Sequence, residues 1–172
     1  MPPIAGVPLS ALFVPLFLNR PLKSEIRYNG AMSLFKWSNA LSVYLPEIDA
    51  EHRALYRLGD ELHKAMLAGA APAVLQPILV NLRETAEQHF RHEERLMRAI
   101  HYTAFDWHKG QHDAVRKRLR ALAKRVAGGD SAAAGELVEF LSEWLRGHMA
   151  VADRMMSARL RNYLRFNTSL AS

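Results

Sequence analysis

Apolar residues recur along most of the chain at alternating steps of three and four residues. This period places them on one side of an α-helix, and it is the seam that a bundle helix presents to its neighbours. No stretch alternates apolar and polar residues with a period of two between turn signals, as a half-buried strand would. The pattern therefore predicts an all-α protein.

The first two predicted helices are bounded by turn residues. The first runs from about Ile48 to Leu67, and Gly69 marks its stop. The second begins near Pro72, a residue type that suits the first turn of a helix, and its apolar stripe continues to Ile100. Each is long enough to cross a small domain.

The third and fourth helices are predicted in the same way. The third starts after Thr103, which can cap it, and stops at Gly128-Gly129. The fourth starts after Asp130 or Ser131. Because the connections between the four helices are short, we expect consecutive helices to lie antiparallel, as in an up-down four-helix bundle.

An N-terminal extension precedes the bundle. Residues 4–18 are largely apolar, but prolines interrupt them and they are too short to span a bilayer. The basic residues follow this run, whereas a secretory signal has them before it, so we expect a cytoplasmic protein. Residues 1–31 are predicted to be a poorly ordered leader or to lie upstream of the true start. We hypothesise that the functional domain, 32–172, begins at Met32.

The chain contains no cysteine. Disulfides, thiolate zinc sites, iron–sulfur clusters and cysteine nucleophiles are therefore excluded. A metal site would have to be built from histidine, carboxylate and water. Those ligands suit iron, manganese or zinc better than copper(I).

The net charge of +6 at pH 7 raises the question of an anionic partner. The cationic residues of the second half are not interleaved with aromatic residues that could stack on a single-stranded nucleic acid. We interpret them as a solvated helix face and expect no nucleic acid partner. The members of this face are Arg116, Lys117, Arg118, Arg120, Lys124 and Arg125.

Polar residues interrupt the apolar stripes of all four helices. A single core histidine is ordinary, but several buried histidines and a carboxylate need compensation, since a buried unpaired carboxylate is unfavourable or gives up its charge. A metal centre would compensate the whole set most simply. The residues at these core-facing positions are His52, His89, Glu93, His108, His112 and His148.

The spacing of these residues supports a metal centre. His89 and Glu93 are four residues apart, so both project from one helix face about one turn apart. His108 and His112 repeat the arrangement. Either pair alone arises easily by chance, whereas two such pairs, with one more histidine on each remaining helix, are a strong signal.

The remaining histidines are interpreted as structural. His63 lies one position off the first stripe. His92 points about 100° away from the carboxylate that follows it. His101 lies at a helix end, where a cationic side chain is favoured.

From Trp37 to about Met156 the chain resembles the hemerythrins, in particular the single-domain bacteriohemerythrins. Asp153 is supported by this resemblance alone, because five residues after His148 an ideal α-helix has rotated by about 140°. The matching segments, in order, are Ile48-Asp49-Ala50-Glu51-His52, His89-Phe90-Arg91-His92-Glu93-Glu94, His108 with His112, and Trp144-Leu145-Arg146-Gly147-His148 followed by Asp153.

The resemblance implies a non-haem di-iron centre, with two iron ions joined by an oxo or hydroxo bridge. One coordination position would stay open on the iron held by two histidines, and O₂ would bind there reversibly. Leu145 and Trp144 would line the oxygen pocket. The implied ligands are His108, His112 and His148 on one iron, His52 and His89 on the other, and Glu93 and Asp153 bridging both.

We expect an oxygen-binding protein that stores, delivers or senses O₂, and not an enzyme. Ferritin-like di-iron oxidases use Glu-x-x-His motifs in a carboxylate-rich site, and this chain contains no such motif. The alternatives are a di-iron enzyme that handles peroxide, nitric oxide or iron, and a regulatory domain whose metal state controls a partner. The basic helix faces could dock an acidic or membrane-bound oxygen consumer.

Overall fold

The computed structural model describes residues 34–169, and that range is helical without a strand. The prediction of an all-α protein is confirmed. The leader 1–31 and the start at Met32 lie outside the described residues. The helices are α1 (Pro46–Leu67), α2 (Pro72–Ala99), α3 (Phe105–Ala127), α4 (Ser131–His148) and α5 (Arg154–Ser169), with a 3₁₀ turn at Asn39–Leu41 and a π turn at Met149–Asp153.

The first four helices form the predicted bundle. Each packs against the next in the chain, and α1 also packs against α4, so the four enclose one core. Short connections make this order possible, because they leave each helix next to the one before it. Leucines dominate the centre of the core, including Leu55, Leu82, Leu119, Leu137 and Leu141.

Most predicted helix ends are confirmed. Gly69 and Gly129 adopt positive φ angles of 68° and 86° just after α1 and α3, a conformation that favours glycine. Asp130 caps α4, because its side chain accepts hydrogen bonds from the N–H groups of Ala132 and Ala133. The predicted cap at Thr103 is wrong. The cap position of α3 is Ala104, and no side chain bonds to the helix there.

The helical backbone does not stop at the end of α4. His148, Met149 and Arg154 all have right-handed helical backbone angles, so α4 continues through the π turn into α5. In a π turn the backbone hydrogen bonds join residues five apart instead of four. Residues five apart therefore come close to facing the same side at this point.

The segment before α1 covers one face of the bundle. The ring of Phe35 lies against Gly59 in the middle of α1, and both residues are buried. The carboxylate of Asp49 accepts hydrogen bonds from the hydroxyl of Ser42 (2.6 Å) and the N–H of Val43 (2.8 Å). These bonds fix the segment to the first turn of α1.

The predicted basic face is exposed on α3, with one exception. Lys117, Arg118, Arg120 and Lys124 are exposed, whereas Arg116 is half-buried. Among the described residues, no helix is both long and apolar enough to cross a membrane.

We expect alanine at Gly59 and at Gly135 to change stability in opposite directions. A Cβ atom at Gly59 would lie 2.5 Å from the Phe35 ring, whereas one at Gly135 meets nothing within 4 Å. Gly59→Ala should lower the free energy of unfolding by about 1–2 kcal/mol through overpacking. Gly135→Ala should raise it by up to about 1 kcal/mol through helix propensity.

Urea unfolding of both variants and the wild type measures these changes. A Gly59→Ala protein as stable as the wild type would mean that Phe35 moves aside without loss of packing.

Candidate metal centre

Polar side chains from all four bundle helices and the π turn converge in the interior. Each of the residues predicted from the sequence is at most 3% exposed. The structure brings all of them together. They are His52 on α1, His89 and Glu93 on α2, His108 and His112 on α3, His148 at the end of α4, and Asp153 in the π turn.

These side chains form two groups of potential metal ligands. Within each group, one nitrogen or oxygen atom from every residue lies within 4.8 Å of the others. Glu93 and Asp153 belong to both groups, and a carboxylate has two oxygens with which to bind two ions. The arrangement is therefore suited to a dinuclear centre. The groups are Glu93, His108, His112, His148 and Asp153, and His52, His89, Glu93 and Asp153.

Asp153 joins the cluster because of the π turn. Its Oδ1 atom lies 3.0 Å from Nε2 of His148 and 3.2 Å from Nε2 of His108, and its Oδ2 atom lies 3.1 Å from Nε2 of His52. On a regular α-helix a residue five positions after His148 would point elsewhere. Inserting the wider turn after His148 rotates the Asp153 carboxylate back toward the histidines.

Several buried atoms of the cluster have no hydrogen-bond partner. They include both oxygens of Asp153, Oε1 of Glu93 and Nε2 of His52. The histidine nitrogens around Asp153 lie close to its oxygens, but the angles at these contacts are not those of a hydrogen bond. Leaving such atoms unsatisfied in a dry core is unfavourable, and bound cations would satisfy them. The donor set therefore fits metal ions.

The outward-facing nitrogens of three of the histidines bond to side-chain oxygens. Those oxygens can only accept, so each Nδ1 carries the hydrogen and each Nε2 keeps its lone pair for the interior. The bonds run from Nδ1 of His89 to Glu51 (2.9 Å), from Nδ1 of His112 to Glu94 (3.3 Å) and from Nδ1 of His148 to Gln111 (3.1 Å).

Each of these acceptors supports a histidine on the next helix. Glu51 on α1 bonds to a histidine on α2, Glu94 on α2 bonds to one on α3, and Gln111 on α3 bonds to one on α4. None of these three residues was predicted from the sequence to have a role. A usable signal was present, since each is adjacent in the chain to a cluster residue.

The histidines interpreted as structural lie outside both donor groups. His92 bonds through Nδ1 to Oε1 of Glu51 at 2.6 Å and thus contacts the carboxylate that supports His89. His63 is buried, and burial lowers its pKa. His101 follows α2 with a φ angle of 49°.

Electrostatic interactions divide the cluster into groups with opposite pKa shifts. Burial and the nearby charge of Asp153 raise the pKa of Glu93. Burial alone would raise that of Asp153, but the surrounding imidazoles, His148 foremost, hold the pKa of Asp153 well below its usual range. Burial would lower the pKa of His108, but contacts with Asp153 and Glu93 raise it to about 9. Burial and the neighbouring histidines lower the pKa of His112.

An apolar shell surrounds the histidine-rich end of the cluster. The ring of Phe90 stacks on His112 with centroids 4.2 Å apart, and Trp144 lies 5.5 Å from Phe90 and 5.7 Å from His148. Leu145, three residues before His148, is 2% exposed. The lining of an oxygen pocket by Trp144 and Leu145 stays a prediction.

Comparison with known proteins gives a consistent family match. Residues 44–160 match the family model of the hemerythrin HHE cation binding domain. A bacteriohemerythrin of Ralstonia nicotianae is 33% identical over 129 residues, which cover 75% of this chain and 90% of that protein. One of Clostridium acetobutylicum is 29% identical over 125 residues, covering 70% and 97%. A crystal structure of a mutant hemerythrin has the same fold, with a TM-score of 0.67 at 22% identity over 75% of this chain and 98% of that one.

The metal-free protein should lose stability as the pH rises from 6.5 to above 9. Folding raises the pKa of His108 from 6.5 to about 9. The stabilisation that results is complete below pH 6.5 and is lost as the pH rises through 9. The free energy of unfolding should fall by about 3 kcal/mol over this window.

Urea unfolding of the metal-free protein at each pH measures the slope, and His108→Gln should flatten it. A wild-type protein with the same stability at both ends of the window would show that His108 does not hold the proton.

Proposed function

Because this chain belongs to the hemerythrin family, we propose that its buried cluster holds two bridged iron ions and binds O₂ reversibly. The observation that carries the proposal is the pair of donor groups sharing Glu93 and Asp153. One group offers five donors and the other four. An ion in the smaller group would have a coordination position left for a small neutral ligand.

The proposed ligands follow these two groups. One iron would be held by the three histidines of α3 and α4, the other by the histidines of α1 and α2, and the carboxylates of Glu93 and Asp153 would bridge them. When bound, ferrous ions supply the electrons that reversible O₂ binding requires. The protein contributes imidazoles whose Nε2 lone pairs already face the interior, held there by the oxygens that accept from Nδ1.

The surroundings of the cluster favour binding over turnover. Trp144, Leu145 and Phe90 are each at most 4% exposed, and they would keep water and bulky reductants away from the cluster. Histidines outnumber carboxylates in the donor set, unlike the carboxylate-rich sites of ferritin-like oxidases. We therefore propose an oxygen carrier, store or sensor, with enzymatic handling of peroxide, nitric oxide or iron as the alternative.

The wider setting of this function stays a prediction. The proposed functional domain is 32–172, which contains the matched family region 44–160. A cytoplasmic location and docking of an acidic or membrane-bound oxygen consumer to the basic face belong to the same proposal. They rest on the sequence patterns and on the exposure of that face.

Purified, iron-loaded and reduced protein should be colourless and should develop a visible absorption band in air. Removing O₂ should abolish the band, and repeated cycles should restore it, because the enclosed site binds the ligand without consuming it. Absorption spectroscopy under controlled O₂ pressure measures this. Irreversible conversion to the oxidised protein, or consumption of peroxide at enzymatic rates, would support the alternative function instead.

Replacing Glu93 with alanine should sharply lower the iron content, because both donor groups lose a shared carboxylate. Loss of a ligand or its support typically reduces metal affinity by at least roughly 10–100-fold. Elemental analysis after loading and desalting measures iron per chain. Glu84→Ala is the matched control, since Glu84 is exposed on the same helix. Two irons per chain in Glu93→Ala would show that the ligand assignment is wrong.

A further inference from the structure

Arg116 departs from the basic face to which its sequence pattern assigned it. It lies on α3 one turn after His112, and its side chain is only 17% exposed, whereas Arg120, one further turn along α3, is exposed. The same side chain reaches His112 by two separate routes, one through a carboxylate and one through an aromatic ring.

The first route passes through Glu94. The Oε1 atom of Glu94 accepts from Nδ1 of His112 at 3.3 Å and from Nη1 of Arg116 at 2.9 Å, so the imidazole and the guanidinium share one oxygen. The carboxylate beside His89 is arranged differently. Glu51 accepts from His89 on Oε2 and bonds to His92 through Oε1. Within residues 34–169, His89 therefore does not share its acceptor oxygen with a cation.

The second route passes through Phe90. The guanidinium carbon of Arg116 lies 5.0 Å from the centroid of the Phe90 ring. The ring of Phe90 also stacks on His112, at 4.2 Å between centroids and 19° between planes. Phe90 is 1% exposed, so a shift of Arg116 would be transmitted to the imidazole through close packing.

Arg116 is itself firmly held. Its Nε donates to Oε2 of Glu87 at 2.7 Å, and its Nη1 donates to Oδ1 of Asp113 at 2.8 Å. Burial would lower the pKa of Arg116, but the bonds to Glu87 and Glu94 raise it, so the guanidinium stays charged. The hydrogen bond between His112 and Glu94 therefore lies next to a fixed positive charge.

We infer that Arg116 is a positioning residue for His112 and that, through Glu94, it limits the electron density His112 supplies to a bound iron. A carboxylate acceptor on Nδ1 makes an imidazole a stronger donor. A guanidinium that donates to the same oxygen withdraws negative charge from that carboxylate, and the carboxylate then polarises the imidazole less. This inference rests on the proposed di-iron function and adds a difference between its two iron positions.

Two substitutions in the iron-loaded protein should shift the iron midpoint potential in opposite directions. Arg116→Gln removes the cation from the Glu94 oxygen that His112 uses, so Glu94 polarises His112 more strongly and the iron midpoint potential should become more negative. Glu94→Gln replaces the carboxylate with a neutral acceptor, so the potential should become more positive. Both variants should release iron to a chelator roughly tenfold faster. Arg116→Gln removes the contacts that hold Glu94 and Phe90 in place around His112, and Glu94→Gln removes the charged acceptor of His112.

The double variant Arg116→Gln/Glu94→Gln distinguishes action through Glu94 from a simple change of charge. If Arg116 acts through Glu94, the double variant should have the potential of Glu94→Gln alone. Arg120→Gln is the matched control, because it removes a cation one turn further along α3 whose Nε donates to the backbone oxygen of Arg116. Its potential and iron release should equal those of the wild type.

Redox titration and chelator-driven iron release measure these effects. Thermal unfolding of the metal-free proteins checks that each variant folds. Additive shifts in the double variant, or an equal shift in Arg120→Gln, would overturn the inference while leaving the oxygen-binding proposal intact. Equal loss of iron with no change of potential in either single variant would also overturn it. Failure of the wild type to hold iron would instead refute the proposed function itself.

Discussion

Burial of two carboxylates among five histidines is the constraint on which the rest of this structure depends. Glu93 and Asp153 are fully buried, and the pKa of one is raised while that of the other is lowered. Protein contacts alone satisfy them only in part, because oxygens of both lack hydrogen-bond partners. Cations between the imidazoles and the carboxylates would satisfy both the charges and the lone pairs.

The helices support one another's ligands in chain order. An oxygen from α1, α2 or α3 accepts from a histidine on the following helix, and each acceptor is adjacent in the chain to a cluster residue. Helical geometry explains this arrangement. Residues adjacent in the chain point about 100° apart on a helix, so one can face the interior while the next faces the adjacent helix. Packing of the bundle and orientation of the imidazoles are therefore set by the same short segments. The acceptors still differ: Glu51 bonds to a histidine on its other oxygen, Glu94 shares its bonding oxygen with Arg116, and Gln111 is uncharged.

Much of the fold and the candidate site could be predicted from the sequence, for identifiable reasons. Apolar periodicity gave the bundle helices, and the glycines at 69 and 129 and the cap at Asp130 gave their ends. The histidines at core-facing positions of the predicted helices predicted most of the candidate metal-binding cluster. Asp153 could not be placed by spacing, because the π turn at Met149–Asp153 departs from the regular α-helix that the spacing assumes. Arg116 was missed because a half-buried arginine and a solvated one look the same in a basic stretch of sequence.

Diffraction at the iron absorption edge, from crystals of the iron-loaded protein, tests the central claim most directly. The account predicts two anomalous peaks in the core, one between the histidines of α3 and α4 and one between those of α1 and α2, with Glu93 and Asp153 touching both. A single peak, or peaks confined to the protein surface, would contradict it.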